Sequence, residues 1–201
     1  MPVIEGYGEI DAFEVIQIVG NLISDNVTDI RTDRTNSRWV FPVFPDDLSN
    51  YPEVIVELKS INYEDISAGR YLSTETEETT GDYLEYYTRY GTADLVLTVL
   101  SEKKPSYTVT RNSTSLYLNN QPLNLYLCNA ITDVLKWKRD ELLECFIDFR
   151  VIKKSPVFED DPNTWASEIK CEVEYQDIWV KRYDASGELI KEYSLTVSIT
   201  E

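Results

Sequence analysis

The chain has no histidine among its 201 residues, only three cysteines and one methionine, and 19 basic side chains against 36 acidic ones. Each shortage removes a class of chemistry. Without imidazole there is no Ser-His or Cys-His nucleophile pair, and no side chain whose unperturbed titration falls near neutral pH. A structural zinc site needs a set of soft or imidazole ligands larger than three scattered cysteines supply. Cys128, Cys145 and Cys171 show no short pairing motif and lie in apolar periodic runs, so they read as small core hydrophobes. No run of about 18 apolar residues occurs, which excludes a membrane-spanning helix. The first residues, Met1 to Gly6, carry none of the basic and apolar blocks of a secretory signal. The expected setting is the cytoplasm, or a particle assembled there, with no membrane partner and no cofactor.

What is present is a chain that is 42% hydrophobic with a formal net charge of −17. A chain of this length buries a core without metal or disulfide staples, and with no repeat and no linker it reads as one domain spanning residues 1–201. The acidity opposes contact with nucleic-acid phosphates. It is compatible with a surface past which DNA slides without sticking.

Periodicity supplies the elements. Residues from Glu9 to Ile23 give an imperfect helical stripe, with Asp11 and Glu14 near its start where the helix dipole favours acids. A loop over 24–37 leads to a short strand at Arg38 to Phe41, and Pro42 and Pro45 end it. Glu53 to Lys59 is β-branched and reads as a strand. Residues 60–80 break the pattern and read as a surface excursion with an acidic tip. Asp82 to Glu102 is the longest strand candidate, with a bulge or bend expected at Gly91. Its second half, Leu95 to Leu100, reads as buried. Residues 103–121 hold two short extended pieces that make an inserted hairpin.

The C-terminal half is the most informative. Leu123, Leu127, Ala130, Ile131, Val134 and Leu135 recur at three and four residue spacing within one helical run from Pro122 to Glu144. Two strands follow, Cys145 to Lys153 and Ala166 to Tyr183, separated by a turn-rich stretch from Ser155 to Pro162. Asp184 to Gly187 is a turn into a final strand, Glu188 to Ile199. The expected fold is α+β, a mainly antiparallel β-sheet with two helices packed on one face plus the inserted hairpin.

This order resembles the tail terminator proteins of long-tailed viruses, also called tail completion or head-tail joining proteins. The stretches carrying the resemblance are Pro52 to Leu58, Ala93 to Leu100, the helix running through Lys136 to Leu143, and Lys170 to Trp179. It extends over most of residues 8 to 183 in element order, and the excursion and the hairpin depart from it by their length. The resemblance implies a non-enzymatic virion protein of the tail or neck. Members are rings, typically hexamers, that cap the tail tube, stop its polymerisation and join the tail to the head-completion or connector protein. DNA passes through such a ring without specific binding. Alternatives are another neck component, such as a head-completion, stopper or tail-tube-like subunit, a carboxylate-dependent metal hydrolase, and an acidic intracellular adaptor.

The candidate site residues follow from these readings. Glu75, Glu77 and Glu78 could line a DNA channel, against the plainer reading of a solvated loop. Asp160 and Asp161 could hold magnesium, but no phosphate cradle accompanies them and Pro162 follows, so a polar turn is the better reading. Phe158 and Trp165 flank that turn as interface candidates, with Asp160 and Asp161 between them. Lys136, Lys138, Arg139, Lys153 and Lys154 could dock on an acidic neighbour, or simply complement the end of a helix dipole. Trp137, Trp179 and Tyr175 read as core or interface aromatics rather than base-stacking platforms.

Overall fold

A computed structural model describes residues 12–31, 38–42, 51–63, 70–76, 81–103, 106–111, 114–184 and 186–187. The fold is α+β. In chain order the elements are α1 (Ala12–Asn26), β1 (Val40–Phe41), β2 (Glu53–Tyr63), β3 (Arg70–Thr76), β4 (Tyr83–Glu102), β5 (Tyr107–Arg111) and β6 (Thr114–Leu118). Then come α2 (Asn120–Trp137), α3 (Arg139–Leu143), β7 (Asp148–Lys154), β8 (Phe158–Asp161) and β9 (Thr164–Tyr183). The main sheet runs β1-β2-β4-β9-β7, with β3 also on β4 and β8 also on β9, and β5-β6 is a separate hairpin. All pairings but the parallel β1-β2 contact are antiparallel. The expected final strand, Glu188 to Ile199, lies outside the described residues.

One sheet face is apolar and carries the helices. Val54 and Val56 of β2, Leu95, Leu97 and Val99 of β4, and Ile169, Cys171 and Val173 of β9 alternate onto it. Against them pack Val15, Val19 and Ile23 of α1 and Leu123, Leu127, Ile131 and Leu135 of α2. The face expected for α2 is the face buried. Each such side chain removed from water contributes about 1.5–3 kcal/mol. A second, small cluster of Tyr51, Ile55, Leu100 and Ala166 sits on the other side of the sheet.

Several expectations need correction. The described parts of residues 60–80, namely 60–63 and 70–76, are not a plain surface loop, and the expected acidic tip at 77–80 lies outside the described residues. β2 runs on to Tyr63, and β3 continues its line along β4, pairing Arg70 to Thr88 and Thr76 to Tyr83. Alternation failed as a signal there because, among the described residues, no helix packs on β3 to demand an apolar side. Gly91 is neither a bulge nor a break. β4 runs through it in unbroken register with β9, Gly91 opposite Tyr175. A Cβ at Gly91 would sit 3.0 Å from Cζ of Tyr175 and 3.1 Å from Cε1 of Tyr63. Glycine is there so that two tyrosine rings can lie against the backbone. The irregularities fall instead at Leu58/Ser60, Tyr71/Ser73, Val151/Lys153 and Glu159/Asp161.

The helical run from Pro122 to Glu144 is two helices, not one. Lys138 leaves helical geometry at φ −94°, ψ 19°, and α3 then turns Leu142 into the core beside Phe146 and Phe149. The stretch from Ser155 to Pro162 is likewise not all turn, since Phe158 to Asp161 form β8. In α1 the stripe holds at Ile16, Val19 and Ile23, while Phe13 is exposed and Val15, outside the expected stripe, is buried.

Cys128 and Cys171 are buried, Cys145 is half-buried, and all three are free thiols. Burial pushes the Cys171 thiol from its ordinary 9.0 up to about 12, and it raises Cys128 and Cys145 as well. They are core side chains rather than reactive ones at neutral pH.

Two stability predictions follow from this packing. Leu127→Ala or Leu135→Ala is expected to cost about 2–5 kcal/mol in urea unfolding, because either leaves a cavity between α2 and the sheet. Alkaline stability has a sign set by Cys171. Its folded pKa lies above its unfolded one, so its contribution is intact below the unfolded value and is lost as pH rises from 9.0 toward about 12. Cys171→Val should therefore lessen the alkaline fall in unfolding free energy by about 1.4 kcal/mol per pH unit across that window.

Candidate functional site

The interface candidates around β8 form one built corner. β8 returns on β9, pairing Phe158 with Ala166, Glu159 with Trp165 and Asp161 with Thr164. Lys103, just past β4, ties the corner down. Its backbone N–H donates to Asn163 O at 2.9 Å, its ammonium donates to Pro162 O at 2.7 Å and pairs with Glu159, and it stands 5.0 Å from the Trp165 ring centroid. From the other side Asn124, buried in the first turns of α2, donates its Nδ2 to Val99 O at 2.9 Å and Trp165 O at 3.0 Å. Trp165 is therefore held within the chain, half-buried, and Phe158 is the exposed aromatic of the corner. Asp160 is exposed on β8, and Asp161 ends β8 where the turn Pro162–Asn163 leads to its partner Thr164 on β9.

The basic residues do not make one patch. Lys138 pairs with Glu141, while Arg139 bonds Asp148 Oδ1 at 2.6 Å and donates its Nε to Phe149 O at 3.1 Å, stitching α3 to β7. Lys154 donates to Asn129 Oδ1 in the middle of α2, and Lys153 is exposed. Asn129 and Lys136 are about 10 Å apart along the helix axis, so two separate groups result. Lys136 and Trp137 project at the end of α2, where Trp137 is 84% exposed and so is no core residue. Tyr175, by contrast, is fully buried.

Of the acidic candidates, Glu75 is exposed on β3, while Glu77 and Glu78 lie outside the described residues. Sequence reasoning missed the carboxylates that the sheet does organise. On the face away from the helices, Arg150 of β7 bonds Asp148 at 3.1 Å, Glu172 at 2.5 Å and Glu174 at 2.7 Å. The alternation of Glu172 and Glu174 with buried Cys171, Val173 and Tyr175 was the available signal. Also missed was a tyrosine array beyond Gly91. Tyr71 meets Tyr87 edge-on at 5.9 Å, and the Tyr87 hydroxyl donates to Glu85 at 2.8 Å. That bond is the main reason the Tyr87 pKa rises to about 12, and a bond from Tyr183 to the same carboxylate raises Tyr183.

Among the described residues no group of three or more Cys, Asp or Glu is disposed to hold a metal ion, and no helix is long and apolar enough to cross a membrane. In comparisons with known proteins, the chain matches no family model and no curated protein.

Lys103→Met should remove both the ion pair and the cation over Trp165, at a cost of about 1 kcal/mol. Amide exchange checks it. Protection over Phe158 to Ala166 is expected to fall while that of Leu95 to Leu97 stays at the wild-type level.

Proposed function

We propose that this chain is a structural, non-enzymatic protein of a long-tailed virus particle, a tail terminator that forms a ring at the head-tail junction. The observation that carries the reading is the layered order of its elements. One antiparallel sheet is built on the β4-β9 ladder, two helices cover one face of it, and α2 passes through a short connection into the closing strands. This is the arrangement that the sequence resemblance implies. The β5-β6 hairpin, the β8 corner and the outer parts of β3, β4 and β9 add to that layer without being needed to close it.

In this reading the ring caps the end of the tail tube. A tube end presents loops and strand edges that keep recruiting subunits, and a ring with a matching lower face and a different upper face stops that growth. The upper face then meets the head-completion or connector protein. A net charge of −17 keeps DNA mobile in the lumen rather than bound to it. The same layer would serve another neck component, and the added β8 corner and hairpin fit either position.

The test is electron microscopy of particles assembled without this protein. The expected result is tails of abnormal length that fail to join filled heads. Normal-length tails attached to filled heads would sink the proposal, as would tight, salt-sensitive binding of duplex DNA by the purified protein.

A further inference from the structure

Beneath the helices the β4-β9 ladder is aliphatic as far as Val99, and there its composition changes. Val99 stands opposite Ser167, and the next pair on the same side is Ser101 opposite Trp165. Ser101 and Ser167 are fully buried, and so is Asn124 in the first turns of α2. A polar group is thus enclosed where the neighbouring pair, Leu97 opposite Ile169, is wholly apolar.

Asn124 marks the centre of this group. Its Nδ2 donates to Val99 O of β4 and to Trp165 O of β9, so the amide lies over the gap between the two strands, with Ser167 at one end of that gap and Ser101 at the other. The Asn124 Oδ1, the Ser101 and Ser167 hydroxyls and the Trp165 Nε1 are all buried, and none has a hydrogen-bond partner among the described residues. Buried polar atoms are bonded with few exceptions, so four orphans gathered on one side of two successive pairs point to a shared partner. The chain itself does not supply it. Ser101 and Ser167 are diagonal across the ladder, about 7–8 Å apart, which is too far for one hydroxyl to reach the other at about 2.8 Å and close to the span of a single bridging molecule. Cys128, one helical turn after Asn124, lies near Ser167 without bonding it.

The chemistry of the orphans selects the bridge. Asn124 Oδ1 only accepts, the indole N–H of Trp165 only donates, and a serine hydroxyl does either. A cation would meet no carboxylate in this group, and an anion would meet the amide oxygen. A molecule with both donors and acceptors and the size of a single heavy atom is water.

We propose that an ordered water is built into the chain at this point, bound by Asn124 Oδ1 and the serine hydroxyls. Three bonds is the number a buried water typically makes. The water joins α2 to Ser101 of β4 and Ser167 of β9, and with the two carbonyl bonds of Asn124 it sets where the first turns of α2 meet the ladder. A slide of α2 away from the serines would leave the amide against aliphatic side chains, where it has nothing to bond. The site therefore positions the helix, and through Trp165 the β8 corner beside it. The inference stands apart from the tail-terminator reading, since either can fail without the other.

A crystal structure of the full chain, at a resolution that shows ordered water, tests it. The expected result is a density peak within hydrogen-bond distance of Asn124 Oδ1 and of a serine hydroxyl. Absence of that peak, with the hydroxyls turned onto Cys128 or onto backbone carbonyls, overturns the proposal. The second arm is the variant Ser101→Ala with Ser167→Ala, which adds neither bulk nor charge and whose folding circular dichroism checks. It is expected to lose the peak while Asn124 keeps both of its carbonyl bonds. A peak that persists at the same place in this variant overturns the assignment of the serines as its ligands.

Discussion

The register of β4 on β9 is the constraint on which the rest depends. It is one continuous antiparallel pairing from Tyr83 and Tyr183 to Glu102 and Thr164, and every other strand of the main sheet except β1 is laid directly on one of its two members. β2 and β3 share the free edge of β4 in succession, while β7 and β8 share that of β9. A one-residue slip would turn Leu95, Leu97 and Val99 to solvent and bring Asp94 and Thr98 beneath the helices. The apolar cost of that exchange holds the register over the body, and through it over the stretch beyond Gly91.

The two faces of the ladder do different work. Beneath α1 and α2 the face is apolar, and burial keeps even its thiols neutral. On the opposite face Arg150 collects three carboxylates from its own strand and its neighbour. Exposed ion pairs of this kind contribute about 0–1 kcal/mol each, so their effect is to keep a strongly acidic face locally balanced rather than to hold the fold. Past Gly91 the continuation of that side changes from aliphatic to a mixture of aromatic and charged positions, with Tyr87 opposite Trp179 and Glu85 opposite Lys181 in the register. A single strand thus serves a core at one end and, beyond Gly91, a ladder that no described helix covers at the other.

Electrostatics shaped the candidate site in a way that residue counting does not show. Lys138 and Arg139 stand together in the chain as a basic cluster, but Glu141 and Asp148 neutralise them, and the cluster works as a joint between α3 and β7. Trp165, flanked by acids and prolines in the chain, is held by Lys103 and by the carbonyl bond from Asn124. Phe158, Asp160, Lys136, Lys153 and Glu75 are among the members of the candidate set left at the surface, and Trp137 stands exposed beside Lys136. Interaction surfaces are harder to read than cores because no period marks them.

Sequence alone determined what depends on near neighbours. The buried face of α2 follows from spacing at three and four, the buried run Leu95 to Leu100 from continuous apolarity, and the β5-β6 hairpin from two short extended pieces around a polar turn. The missing histidine bounded the chemistry without any structure. Tertiary structure decided what depends on residues far apart in the chain. β3 has no apolar rhythm and is a strand because β4 offers it an edge. Gly91 looked like a break, yet it is there because Tyr63 and Tyr175, 112 residues apart, bring their rings onto one point of the backbone. Periodicity records that a side chain is buried. It does not record by what, because the neighbour is chosen by the register of strands that meet only in the folded chain.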